Sequence, residues 1–147
     1  MKKVLAFGSF DILHYGHLSF LRRCRALGDR LVVIVARDET IRKLKKREPF
    51  FDEKARLEMV RALRFVDEAY LGYPNWERDR FKVIRDHRPA VIALGYDQKE
   101  SVRLIGKKLR ELGMSAKVVR IRHIENKEIY KSSKALARLR RCVLRDL

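Results

Sequence analysis

Lys3-Val4-Leu5-Ala6-Phe7-Gly8-Ser9-Phe10-Asp11-Ile12-Leu13-His14-Tyr15-Gly16-His17 begins as an apolar run, stops at a glycine and continues into two histidines. Residues 4–7 read as a short buried strand and residues 18–27 carry helical spacing, so the histidines fall at a strand-to-helix junction. A helix N-terminus directs free amides and positive potential outward, which suits phosphate. At about 100° per residue His17, Phe20, Leu21 and Cys24 share one helix face, which puts His17 at the mouth end of an apolar stripe. Gly16, lacking a side chain, lets a ligand approach the backbone between the two imidazoles. A lone histidine in such a place is usually a satisfied core residue. His-x-Gly-His directly after Gly-Ser-Phe-Asp favours two imidazoles flanking one phosphate group instead.

Outward from this stretch, strand and helix signals alternate. Residues 31–36 are almost all apolar, the mark of a strand buried on both faces of a parallel sheet. Residues 66–71, 90–94 and 116–121 read as further strands, and 52–63, 76–87, 102–112 and 132–144 as helices. The alternation predicts a single α/β domain over residues 1–147, a Rossmann-like doubly wound sheet of about five parallel strands with helices on both faces. Ligands of such sheets bind at the carboxyl ends of the strands, near the reversal of strand order. Two loops are expected to be mobile, residues 37–51 with their basic run and residues 122–131.

The 147 residues carry a formal net charge of +17, which attracts polyanions of any kind. No apolar stretch approaches the roughly 20 residues needed to cross a bilayer, and no secretory h-region opens the chain, so a cytoplasmic protein with no membrane partner is expected. Cys24 and Cys142 lack metal-ligand spacing, which argues for reduced thiols and against a zinc site.

Residues 8–17 resemble the G-[TS]-F-D-x-x-H-x-G-H signature of the cytidylyltransferase-like nucleotidyltransferases. The segment Leu94-Gly95-Tyr96-Asp97-Gln98 is similar to Leu-Gly-x-Asp-Gln of archaeal-type FAD synthases, a likeness that extends over nearly the whole chain. Glycerol-3-phosphate cytidylyltransferases carry a Gly-Asp-Asp-Trp type of segment there and an Arg-Thr-Glu-Gly-Ile stretch before the last helix. Residues 123–131 do not match that stretch, although Asn75-Trp76-Glu77 does resemble a segment of those enzymes. The resemblance implies transfer of AMP from ATP to FMN, with a divalent cation, Mg²⁺, travelling with the nucleotide and no metal held by the protein itself. It also implies a homodimer.

By the same resemblance His14, His17, Lys43 and Arg122 are the expected catalytic residues. Ser9, Phe10, Tyr15, Gly16, Asp97, Ser132 and Ser133 are expected to join them around the nucleotide, and Asp11, Lys43, Lys45, Arg56 and Trp76 around the acceptor. Several of these have plainer readings. Asp52 is a natural N-cap, as are Ser132 and Ser133, and Asp97 could cap the next helix. Arg56 falls with Met59, Val60 and Leu63 on the inward face of its helix, so it needs either an acidic partner or a ligand phosphate. Two rival functions stand beside FAD synthesis: glycerol-3-phosphate cytidylyltransferase, supported by Trp76, and a nucleic-acid-binding module. The second is suggested by the net charge and by Arg138, Arg140, Arg141 and Arg145, and leaves the histidine motif unexplained.

Overall fold

A computed structural model of the chain describes residues 1–122 and 131–145. The element order is β1 (Lys3–Gly8), α1 (Tyr15–Arg25), β2 (Arg30–Val35), α2 (Asp38–Lys45), α3 (Glu53–Arg61), β3 (Glu68–Leu71), α4 (Trp76–His87), β4 (Val91–Gly95), α5 (Val102–Glu111), β5 (Lys117–Ile121) and α6 (Ser132–Arg145). The five strands form one sheet in the order β3-β2-β1-β4-β5, with every pair parallel. The order reverses between β1 and β4, so the carboxyl end of β1, where the histidine motif begins, lies at the switch point.

Alternation along the strands divides the core. Val4 and Ala6 of β1 pack with Phe20, Leu21 and Cys24 of α1 and with Leu57 and Val60 of α3. Leu5 points to the other face, against Val83 and Ile84 of α4 and Leu109 of α5. Central strands buried from both sides must be apolar at every position, which is why residues 31–35 are all fully or nearly fully buried. Helix starts follow local chemistry. The side chains of Asp52, Asn75 and Ser101 accept from the backbone N–H of Ala55, Arg78 and Leu104.

One expectation changes. The segment 37–51 contains a helix, α2, which runs to Lys45 and ends at Lys46 with a left-handed backbone, φ 55°. Ile41 is the one large apolar side chain that α2 buries, too sparse a pattern to declare a helix in advance. Its start is held from outside, because the Glu53 carboxylate accepts from the Asp38 N–H at 3.0 Å and from Arg37 at 3.0 Å. No helix among the described residues is long and apolar enough to cross a membrane.

Candidate active site

A cleft of about 700 Å³ opens over the carboxyl ends of β1 and β4. Its size is typical of small-molecule sites. One wall is the junction from Gly8 to His17, the other the turn after β4 from Gly95 to Lys99; Thr40, Leu44, Lys45 and Arg47 approach from α2 and the turn after it, and Lys131, Ser133 and Leu136 from the start of α6.

The first wall is a tight piece of backbone. Phe10 and Ile12 both adopt positive φ, 51° and 54°, a conformation costly for any side chain and most of all for a β-branched one. The bend tucks the Phe10 ring beneath Gly8, where a Cβ would meet its Cζ at 2.6 Å, so only glycine fits there. Asp11, 2% exposed, holds the bend by accepting from Arg47 Nη1 at 2.8 Å and from the backbone N–H groups of Phe50 and Phe51 at 2.9 and 3.0 Å. Burial works to raise its pKa, and these donors together outweigh burial and lower it.

The two histidines then close a reciprocal cap on α1. The Gly16 N–H donates to His14 Nδ1 at 3.1 Å, and the His14 N–H donates to His17 Nδ1 at 3.3 Å. Their rings stack with centroids 3.8 Å apart. Burial, then the neighbouring His14 and Lys45, push the His17 pKa down to about 3 against the pull of Asp11. His14 is lowered too, by burial, with Asp97 opposing. Both rings are therefore neutral near pH 7. An Nδ1 that accepts a hydrogen bond carries no proton, which leaves the proton of each neutral ring on Nε2.

Lys45 is the cation that the helix brings to this pair. Its pKa is lowered, first by desolvation and then by Arg47, while Asp97 and Asp11 act against the shift. Trp76 also lines the cleft, with its ring edge-on to Phe7 at 5.2 Å. Asp97 lies in the second wall, and Lys131 Nζ stands 5.6 Å above the Tyr96 ring.

The expected residues Ser9, Phe10, Asp11, His14, Gly16, His17, Lys45, Trp76, Asp97 and Ser133 thus gather around one cleft. Others do not. Lys43 turns outward on α2 and pairs with Glu39 at 3.1 Å. Tyr15, 42% exposed, and Arg122, exposed just past β5, are not among the lining residues. Arg56 is fully buried and engaged within the protein: Nη2 meets Asp38 at 2.7 Å, Nη1 donates to the Ser9 carbonyl at 2.7 Å and Nε to the Phe51 carbonyl at 2.9 Å. Of the two partners expected for it, an acidic group or a ligand phosphate, the structure shows the acidic one, Asp38. Ser132 opens α6, but its side chain, residues 123–130 and the side chain of Arg145 lie outside the described residues.

Among the contributors not foreseen are Arg47, Gln98, Lys99, Arg120 and Lys131. Arg120 carried a signal, a cation between Val119 and Ile121 inside a strand whose only other charge is at its first residue, Lys117. Arg47 was one more cation in a basic run, with nothing in the sequence to separate it from its neighbours. Among the described residues no group of three or more His, Cys, Asp or Glu is placed to hold a metal ion.

A family model described as cytidylyltransferase-like matches residues 5–138. The chain belongs to the cytidylyltransferase-like family. Among its relatives, a protein of Ferroglobus placidus named FAD synthase is 47% identical over 139 residues, covering 95% of this chain and 88% of that one. Another of that name from Thermococcus onnurineus is 42% identical over 137 residues, covering 93% and 90%. The crystal structure of the lipopolysaccharide core biosynthesis protein from Thermoplasma volcanium GSS1 is similar with a TM-score of 0.77 and 45% identity, over 82% of this chain and 96% of that one. Pantoate-beta-alanine ligase from Francisella tularensis, complexed with beta-gamma ATP and beta-alanine, shares only the fold. Its TM-score is 0.60 at 15% identity, over 82% of this chain and 58% of that one.

Proposed function

We propose that this nucleotidyltransferase is an FAD synthase, which joins FMN to ATP and releases pyrophosphate. The observation that carries the reading is the stacked histidine pair, whose Nδ1 atoms are both engaged by backbone amides, leaving two Nε2–H donors in a cleft that also holds Lys45. Such donors suit charge that develops on phosphate oxygens. The choice of FMN and ATP rests on the FAD synthase relatives, which align with 93–95% of this chain in the two cases described.

An oxygen of the FMN phosphate attacks the α-phosphorus in line, and the bond from that phosphorus to the bridging oxygen breaks. Pyrophosphate departs with the bonding electrons. The attacking phosphate is already an anion, so no general base is required. His14 and His17 donate from Nε2 to oxygens whose charge rises in the transition state, a contribution of about 10²–10³ in rate for a preorganised donor. Lys45 adds a point charge without fixed geometry. The carboxylates nearest the cleft do not form a cation cage: Asp11 is already engaged by three donors. The divalent cation is accordingly proposed to be held by the triphosphate, where it would neutralise phosphate charge. The homodimer implied by the family resemblance and the cytoplasmic location expected from hydropathy belong to the same proposal, and light scattering of the purified protein tests the dimer.

The deciding experiment offers ATP and CTP, each with FMN and with glycerol 3-phosphate, and identifies the products. FAD and pyrophosphate in equal amounts from ATP and FMN are expected. Faster formation of CDP-glycerol would transfer Trp76 to the glycerol-3-phosphate reading. Salt-sensitive nucleic-acid binding with no turnover of any nucleoside triphosphate would favour the nucleic-acid module.

A further inference from the structure

The turn formed by residues 95–100 brings Tyr96, Asp97 and Lys99 to the second wall of the cleft. Pairing with β5 reaches only its first residue, Gly95 opposite Ile121, and the pairing of β1 with β4 stops earlier, at Ala6 and Ala93. Side chains take over. Gln98 accepts from the Gly95 N–H at 2.9 Å and donates to the Phe7 carbonyl at 2.8 Å, bridging β1 and β4 just past the end of their ladder. Arg120 reaches across from β5, where it lies in register with Leu94. Its Nη1 donates to the carbonyls of Gly95 and Gln98 at 2.7 and 2.8 Å, and its Nη2 donates to the Glu100 carbonyl.

All three contacts are to backbone carbonyls of one turn, spaced along its length. A planar fork with five donors can satisfy carbonyls arranged this way, whereas an ammonium cannot reproduce the geometry. The turn it shapes acts on the histidine wall, since the charge of Asp97 is felt by both His14 and Lys45.

We propose that Arg120, working with Gln98, is a positioning residue that fixes the nucleotide-holding wall of the cleft without touching the nucleotide. This rests on the reading of the cleft as a site for a nucleoside triphosphate. The test compares wild type with Arg120→Lys and Arg120→Met in steady-state kinetics, in calorimetric titration with α,β-methylene-ATP and in thermal unfolding. Arg120→Lys keeps the charge and loses the fork. It should raise the KM for ATP and weaken binding of the analogue about tenfold or more, the scale of a charge-assisted hydrogen bond, while the KM for FMN and the Tm stay near wild type. Arg120→Met should do the same more severely, and if it fails to fold the lysine variant still decides. A lowered Tm with unchanged KM for ATP, or equal losses for ATP and FMN, would overturn the proposal. If wild type uses CTP and glycerol 3-phosphate instead, the FAD synthase reading fails, and the same shift must then be found in the KM for CTP.

Discussion

The wall of the cleft built from Gly8 to His17 is held by ionic groups engaged with one another and with backbone, whereas the wall after β4 is held by one neutral amide and one arginine that bind only backbone. On the first side Asp11 pairs with Arg47, while Arg56, Asp38, Glu53 and Arg37 form a connected set that ties α2 to α3 and, through the Ser9 carbonyl, to the turn after β1. Their charges are compensated inside the protein. The lysines that remain at the cleft are Lys99, Lys131 and Lys45, the last beside the histidines. A net charge of +17 says nothing about which lysine matters. The hydrogen-bond partners do.

The largest expected effect breaks the ionic wall. Arg56→Met removes a fully buried guanidinium and strands the Asp38 carboxylate and the Ser9 and Phe51 carbonyls, so unfolding stability should fall by about 3–5 kcal/mol. Chemical denaturation measures this. Substrate affinity per folded molecule should be retained, and a loss of triphosphate binding with full stability would restore the phosphate role.

Next come the histidines. His14→Ala and His17→Ala should each lower turnover by about 10²–10³ while circular dichroism reports a folded protein. A rate per folded molecule close to wild type, with a lowered Tm, would make that histidine a core residue only.

Lys45 and Lys43 sharpen the comparison at closer range. Lys45→Met should weaken triphosphate binding by about 1.5–3 kcal/mol, the range for a hydrogen bond to a charged group. Lys43→Met loses only an exposed pair with Glu39, so titration calorimetry should show little change in affinity. Equal losses from both would mean that α2 rotates or unwinds when ligand binds.

The contrast between the two lysines also marks how far the sequence can be read. The strands were legible because sheets covered on both sides demand apolar runs: residues 31–36 predicted β2, and Arg30–Val35 form it. The helix read at residues 76–87 begins and ends at Trp76–His87 as expected. The histidines were legible because they fall at a strand-to-helix junction with His17 on the apolar helix face, and the reciprocal cap they form was not. What was hidden depends on phase and on distant partners. In a loop Lys43 and Lys45 are equivalent, but on a helix two residues are about 200° apart, and only one can face the cleft. Arg56 and Asp38 are 18 positions apart, and no local pattern joins them. Arg120 and Arg122 would share a face only if β5 continued, and it ends at Ile121.

The protonation of the two imidazoles can be observed directly by ¹⁵N NMR of histidine-labelled protein during an acid titration. Both rings should be neutral Nε2–H tautomers at pH 7, and His17 should remain so until the pH approaches about 3, provided the fold persists. The unfolded chain takes up a proton near pH 6.5, so it binds more protons than the folded state between there and about 3, and stability should fall as the pH drops through that window. Adding α,β-methylene-ATP at pH 7 should shift the Nε2–H resonances of both residues. Protonation of His17 near pH 6.5 in the folded protein, a proton on Nδ1, or resonances indifferent to the analogue would contradict a cleft that works through two neutral histidine donors.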